Sequence, residues 1–130
     1  MSELFNLEII NPEKSFFTKD DVKEVVVPAY EGEMGILKDH IPIISFLKPG
    51  IIKVLRKSEE ESYFVEDGIL EFKENNLSIL TSSIIKVSDL TRDKVESIIS
   101  KAEKESREEN LDDQKKFLID QKIDVLKTLN

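Results

Sequence analysis

The sequence predicts a chain of mixed class, β first and then α: a β-sandwich over residues 1–87, followed by an antiparallel two-helix hairpin over residues 88–130. Three observations carry this. As far as about Ile85, apolar residues recur at every second position, the period of a half-buried strand. Beyond Val87 they recur at every third or fourth, the period of an amphipathic helix. Gly, Pro and Asn punctuate the first segment at short intervals, which argues for many short strands packed as a sandwich or barrel.

In chain order, Phe5, Leu7 and Ile9 alternate with Asn6, Glu8 and the less polar Ile10, a first strand that Asn11-Pro12 ends. Ser15 to Thr18 is expected as a short second strand and Val22 to Val27 as a third, closed by Pro28. Ile51 to Leu55 and Tyr63 to Val65 flank a hairpin turn at Ser58-Glu59-Glu60-Glu61. Ile69 to Phe72 and Leu77 to Leu80 flank Glu74-Asn75-Asn76, where the Asn pair can supply positive φ. The stretch from Ala29 to Pro49 does not alternate. Its glycines at 32 and 35 predict sharp backbone turns, and it contains the single histidine, His40. Irregular segments on a rigid scaffold are where binding residues collect.

After Val87, the residues Val95, Ile98, Ile99 and Ala102 fall on one helical face, with Thr91 or Asp89 as the N-cap. The polar run from Glu103 leads to a break near Asn110. In the second helix Leu111, Leu118, Val125 and Leu129 form a stripe that Ile119, Ile123 and Leu126 widen. Asp112 and Asp113 at its start and Lys127 near its end suit the helix dipole. Two amphipathic helices joined by a short connection make an αα-hairpin.

Composition removes several classes of function. The net charge of −8 repels phosphate backbones and anionic lipid, so nucleic acid is not an expected partner. No apolar run approaches the roughly 20 residues that cross a bilayer, and Met1 to Phe5 lack the features of a signal peptide, so no direct membrane insertion is expected. The absence of cysteine excludes disulfides, thiolate metal sites and cysteine nucleophiles. A single histidine excludes histidine-rich zinc sites, and no phosphate-cradling glycine motif is present. No catalytic residue, metal site or cofactor is therefore assigned. Glu31 and Glu33 have the spacing that puts two carboxylates on one side of a strand, as solvated acids or as a charged docking rim. His40 suits a hydrogen-bonded structural role. Lys115, Lys116, Lys122 and Lys127 on the last helix can form a solvated face or meet an acidic partner. The residues alone also admit a free-standing ligand- or peptide-binding sandwich using the 29–49 stretch, or a small hydrolase built on His40.

The order of these features resembles a known family. F-N-L-E-I-I-N-P-E-K-S-F-F at 5–17 is similar to the opening strand pair of F-type ATP synthase epsilon subunits. The run 22–52, with E-G-E-x-G-I-L, H-x-P and K-P-G in order, resembles that family's most characteristic stretch, and 67–72 and 75–81 resemble its last hairpin. The resemblance implies two packed sheets of about ten strands and a mobile helical hairpin. It implies a non-catalytic central-stalk subunit that binds gamma, touches the c-ring and couples rotation to catalysis elsewhere, on the cytoplasmic face of the inner membrane. By resemblance, the c-ring contact falls on Glu31, Glu33 and His40. The resemblance also implies a tail that can brake ATP hydrolysis through contact with alpha or beta subunits, with Lys115, Lys116 and Lys122 as the residues to carry it here. Some family members bind ATP at the start of the first helix. Here the degenerate positions are Asp89, Thr91 and Lys94, where Thr, Lys and then Val95 replace the usual Asp, Arg and Ala, which argues against nucleotide binding. Lys38-Asp39 stand where family members often show Pro-Gly, and Glu66 where a small residue is common.

Overall fold

The computed structural model describes residues 3–12, 15–108 and 110–129. Met1, Ser2 and the Glu109 of the expected helix break lie outside them. Among the described residues nine strands come first: β1 (Phe5–Asn11), β2 (Ser15–Ala29), β3 (Gly32–Leu37), β4 (Ile43–Leu47), β5 (Gly50–Arg56), β6 (Glu60–Val65), β7 (Gly68–Lys73), β8 (Asn76–Leu80) and β9 (Ile84–Lys86). A 3-10 turn over Val87–Asp89 leads into α1 (Arg92–Ser106), and α2 (Asp113–Lys127) follows.

The strands form two layers, β1-β8-β7-β4 and β3-β2-β5-β6-β9, tied together by β2. That strand pairs with β1 early, with β3 and β5 later, and touches β4 at Ala29↔Leu47. It merges the two strands expected at 15–18 and 22–27. Lys19-Asp20-Asp21 interrupt the apolar alternation but not the pairing, since Leu7↔Lys19 and Val22↔Arg56 are both in register. Register shifts at Phe5/Leu7 and Val22/Glu24 mark bulges, which bend a strand and let it pass from one layer to the other. Arg56 steadies the polar interruption, donating to Asp21 at 2.9 Å.

The expected irregular stretch at 29–49 is largely two strands. Gly32 takes φ 136 at the hairpin between β2 and β3, as anticipated. Gly35, however, sits inside β3 opposite Val26 and turns nothing. In the β7–β8 turn, positive φ falls on Glu74 and Asn75 instead of the Asn pair, while Asn76 has already joined β8. A two-residue turn with φ positive at both centres matches the twist of a tight hairpin.

Inward-facing rows fill the core between the layers. Ile43, Phe72, Leu77 and Leu7 stand in register across β4, β7, β8 and β1, as do Ser45, Leu70, Ile79 and Ile9. Val25, Val27, Ile36, Ile52, Val54, Tyr63 and Val65 face them from the second layer, all buried. Phe5 meets Phe72 edge-on, with ring centroids 5.6 Å apart.

A second, separate core lies outside the sandwich. Thr91 caps α1 by accepting from the Lys94 amide at 3.2 Å, and Asp112 caps α2 by accepting from the Lys115 amide at 2.7 Å. The hairpin they start presents Val95, Ile99 and Ala102 with Ile123 and Leu126 to Phe64 and Ile51, neighbours on the outer face of β6 and β5. Helices of 15 residues are marginal alone, so this packing holds them. Among the apolar residues of α2 and its flanks the order of burial differs from expectation. Ile123 and Leu126 are central, while Leu111, Leu118, Val125 and Leu129 lie half-buried along the margin.

Candidate functional site

Each sheet has an outer face, and the two are treated differently. The hairpin covers the outer face of β5 and β6. No element covers the outer face of the other layer among the described residues. There Phe46, Ile69, Leu80 and Ile10 stand in register across β4, β7, β8 and β1, four apolar side chains in one row. Phe46 is 58% exposed, and Ile69 and Leu80 are 45% exposed each. Tyr30, also exposed, extends the row, its amide donating to the Phe46 carbonyl at 3.1 Å. The next row on this face is Ile44, Glu71, Ser78 and Glu8, so acids border the apolar strip.

The strip is backed by a rigid turn. Asp67 accepts from the Ser82 amide at 3.0 Å and from the Ser82 hydroxyl at 2.6 Å, while the buried Thr81 hydroxyl donates to the Asp67 carbonyl at 2.8 Å. A contiguous apolar strip of this kind, flanked by the exposed Ile44 and by acids, is the usual mark of a protein interface. Sequence reasoning did not single out these residues, although the signal was present. Ile9-Ile10, Ile43-Ile44, Phe46-Leu47, Ile69-Leu70 and Ile79-Leu80 are doubled apolar pairs where a strand with one wet face should alternate.

The three residues expected at a c-ring contact do not meet at one point. Glu31 lies in the turn before β3 and Glu33 is its second residue, whereas His40 lies beyond its far end. At about 3.4 Å per residue, the length of β3 puts their ends roughly 17 Å apart. What they share is an edge, because β3 pairs only with β2 among the described strands. His40 Nδ1 donates to the Ile41 carbonyl at 2.8 Å, and its ring stands edge-on to Phe72 at 5.9 Å. Next to it Ile41 is 72% exposed and Leu37 is 55% exposed. Asp39 adopts φ 67, the left-handed conformation that favours glycine, and Asn75 secures it. The Asn75 side chain accepts from the Asp39 amide at 2.7 Å and donates to the Asp39 carboxylate at 3.1 Å.

Of the tail residues, Lys115 and Lys116 are exposed near the start of α2. Lys122 is not, because it forms an ion pair with Glu66 of the sandwich. Asp89, Thr91 and Lys94 do come together, beside Phe17, Tyr63 and Lys86 in a surface groove. Their polar atoms serve one another there: Thr91 caps α1 and the Lys94 ammonium donates to the Asp89 carbonyl at 3.4 Å.

The strongest charge cluster is structural. Arg56 donates to Asp21, to Glu59 at 2.6 Å and to Glu61 at 3.0 Å, and the Tyr63 hydroxyl donates to Glu61 at 2.6 Å. The hydrogen bond from Arg56 holds the Asp21 carboxyl below its usual range. Burial pushes Glu61 up, but hydrogen bonds from Tyr63 and Arg56 outweigh it and keep that carboxyl low as well. Burial, reinforced by Glu61, raises the Tyr63 phenol. Among the described residues no three metal-ligating side chains cluster, and no helix is long and apolar enough to cross a membrane.

Comparison with known proteins gives this geometry a setting. Residues 4–87 match the family model of the ATP synthase Delta/Epsilon chain β-sandwich domain. The chain is 65% identical to the ATP synthase epsilon chain of Pelagibacter ubique (strain HTCC1062), over the full length of both. It is 32% identical to the epsilon chain of Parvibaculum lavamentivorans, covering 99% of this chain and 97% of the relative. In fold it is similar to a chain of the Euglena gracilis mitochondrial ATP synthase, with a TM-score of 0.75 at 19% identity, covering 99% of this chain and 80% of that one.

Proposed function

The chain belongs to the ATP synthase epsilon chain family, and on that premise we propose that it grips the gamma subunit of the central stalk through its bare sheet face. Members of the family are non-catalytic subunits of a rotary ATP synthase, peripheral parts of a membrane complex. The observation that carries the proposal is the in-register row Phe46, Ile69, Leu80 and Ile10, uncovered where the opposite face is covered by the chain's own helices. Covering a half-exposed Phe, Ile or Leu recovers roughly 1 kcal/mol each, so three or four such residues form a useful centre for an interface.

In this role residues 1–87 transmit c-ring rotation through gamma to the catalytic head, on the cytoplasmic face of the membrane. The β3 edge, from Glu31 and Glu33 to His40, is the c-ring contact, and its length favours an extended contact over a single pocket. Residues 88–130 form a regulatory tail whose exposed Lys115 and Lys116 face alpha or beta subunits, with Lys122 joining them once the tail has left the sandwich. Nucleotide binding at Asp89, Thr91 and Lys94 has no part in it, in keeping with the local hydrogen bonds of those residues.

The test is size-exclusion chromatography with recombinant gamma subunit from the same organism. The native chain should co-elute one to one, and Ile69→Glu should elute separately while melting like the native chain. Co-elution of the Ile69→Glu chain at native strength would remove this face from the interface.

A further inference from the structure

We propose that Glu66 and Lys122 form a polar clasp that sets how often the helical hairpin leaves the sandwich. Glu66 lies between β6 and β7, and Lys122 lies in α2, one residue before the buried Ile123. One Glu66 oxygen meets the Lys122 ammonium, and the other accepts from the Ser83 hydroxyl at 3.1 Å. The carboxylate is therefore aimed by its own domain before the helix arrives. The Lys122 side chain is only 17% exposed, so the pair is shielded at the ammonium end and screened less by salt than a free surface pair. Glu66 follows Phe64 by two residues and Lys122 directly precedes Ile123, and Phe64 and Ile123 both belong to the apolar cluster that holds the hairpin. Apolar burial fixes no direction along the sheet, whereas an aimed ion pair fixes the register of α2 on it.

The clasp has a second consequence. While it holds, Lys122 is withheld from any acidic partner and only Lys115 and Lys116 of the three are on offer. A partner that takes Lys122 must open the clasp first. This consequence rests on the tail contact proposed above, but the clasp itself does not.

Hydrogen exchange of the isolated full chain tests the clasp without any partner. The variants are Glu66→Lys, Lys122→Glu and the exchanged pair carrying both. Each single variant should speed exchange of the Ile123 and Leu126 amides by roughly 3- to 10-fold, the size expected for one charge-assisted contact. Amides of Leu70 and Ile79, deep in the sandwich, should exchange as in the native chain and so report that each variant is folded. The exchanged pair should recover most of the lost protection. Unchanged α2 exchange in the single variants, or an exchanged pair whose acceleration is the product of the two, would overturn the proposal.

Discussion

Replacing Phe64 by Ala should detach the hairpin and leave the sandwich standing. Phe64 is 1% exposed, but it belongs to the cluster of Val95, Ile99, Ala102, Ile123 and Leu126, outside the core between the sheets. Truncating a buried Phe costs roughly 3–5 kcal/mol in lost transfer energy and cavity. Here the whole loss falls on one small interface of two short helices. Such helices do not stand alone in water, so undocking should melt them. Far-UV circular dichroism should show reduced helix at 25 °C with strand signal kept, and the sandwich should melt within a few degrees of the native protein. Phe72→Ala is the matched control. Phe72 is equally buried but packs against Phe5 and His40 inside the sandwich, so the same 3–5 kcal/mol should lower global stability. If Phe64→Ala lowers the single global transition as Phe72→Ala does, with no selective loss of helix, the two-core description is wrong.

Two further outcomes follow from the polar contacts. Asp21 and Glu61 both have carboxyls held below their usual range, so the unfolded chain binds more protons than the folded one in acid. Their contribution is therefore complete above about pH 5 and is lost as pH falls through the folded values. Arg56→Met should flatten that acid limb in urea titrations run from pH 6 to pH 2, and parallel curves for the two proteins would contradict the assignment. At the β7–β8 turn Asn75 holds φ 60 and two hydrogen bonds to Asp39. Asn75→Gly should cost about 1 kcal/mol for the bonds, and Asn75→Ala about 1 kcal/mol more for the left-handed backbone, read as separate urea midpoints. Equal midpoints for the two would show that the backbone carries no strain there.

Much of this molecule was legible in its periods. The switch from alternation to helical spacing near Val87 put the strands and helices where they are, because burial on one face leaves its period in the sequence. The failures have local causes. β2 ran through Lys19-Asp20-Asp21 because Arg56, remote in sequence, supplies the counter-charge. β3 and β4 hid in the 29–49 stretch because Gly35 sits in a strand and because Ile43 to Leu47 is apolar on both faces. That second fact is also why the bare row was missed, since a strand with two apolar faces resembles no simple alternation. The expected contact residues are dispersed for a three-dimensional reason. Glu31 and His40 are near in sequence, but an intervening strand holds them apart, and Lys122 is taken by a residue 56 positions away.

The central claim is that this chain couples rotation without catalysing anything itself. The direct measurement is ATP-driven proton pumping by the reconstituted ATP synthase of the same organism, assembled without the chain and then supplied with it. Without it, the catalytic head should hydrolyse ATP while pumping is lost, and adding the native chain, but not Ile69→Glu, should restore pumping. Full pumping in its absence, or equal rescue by Ile69→Glu, would contradict the account.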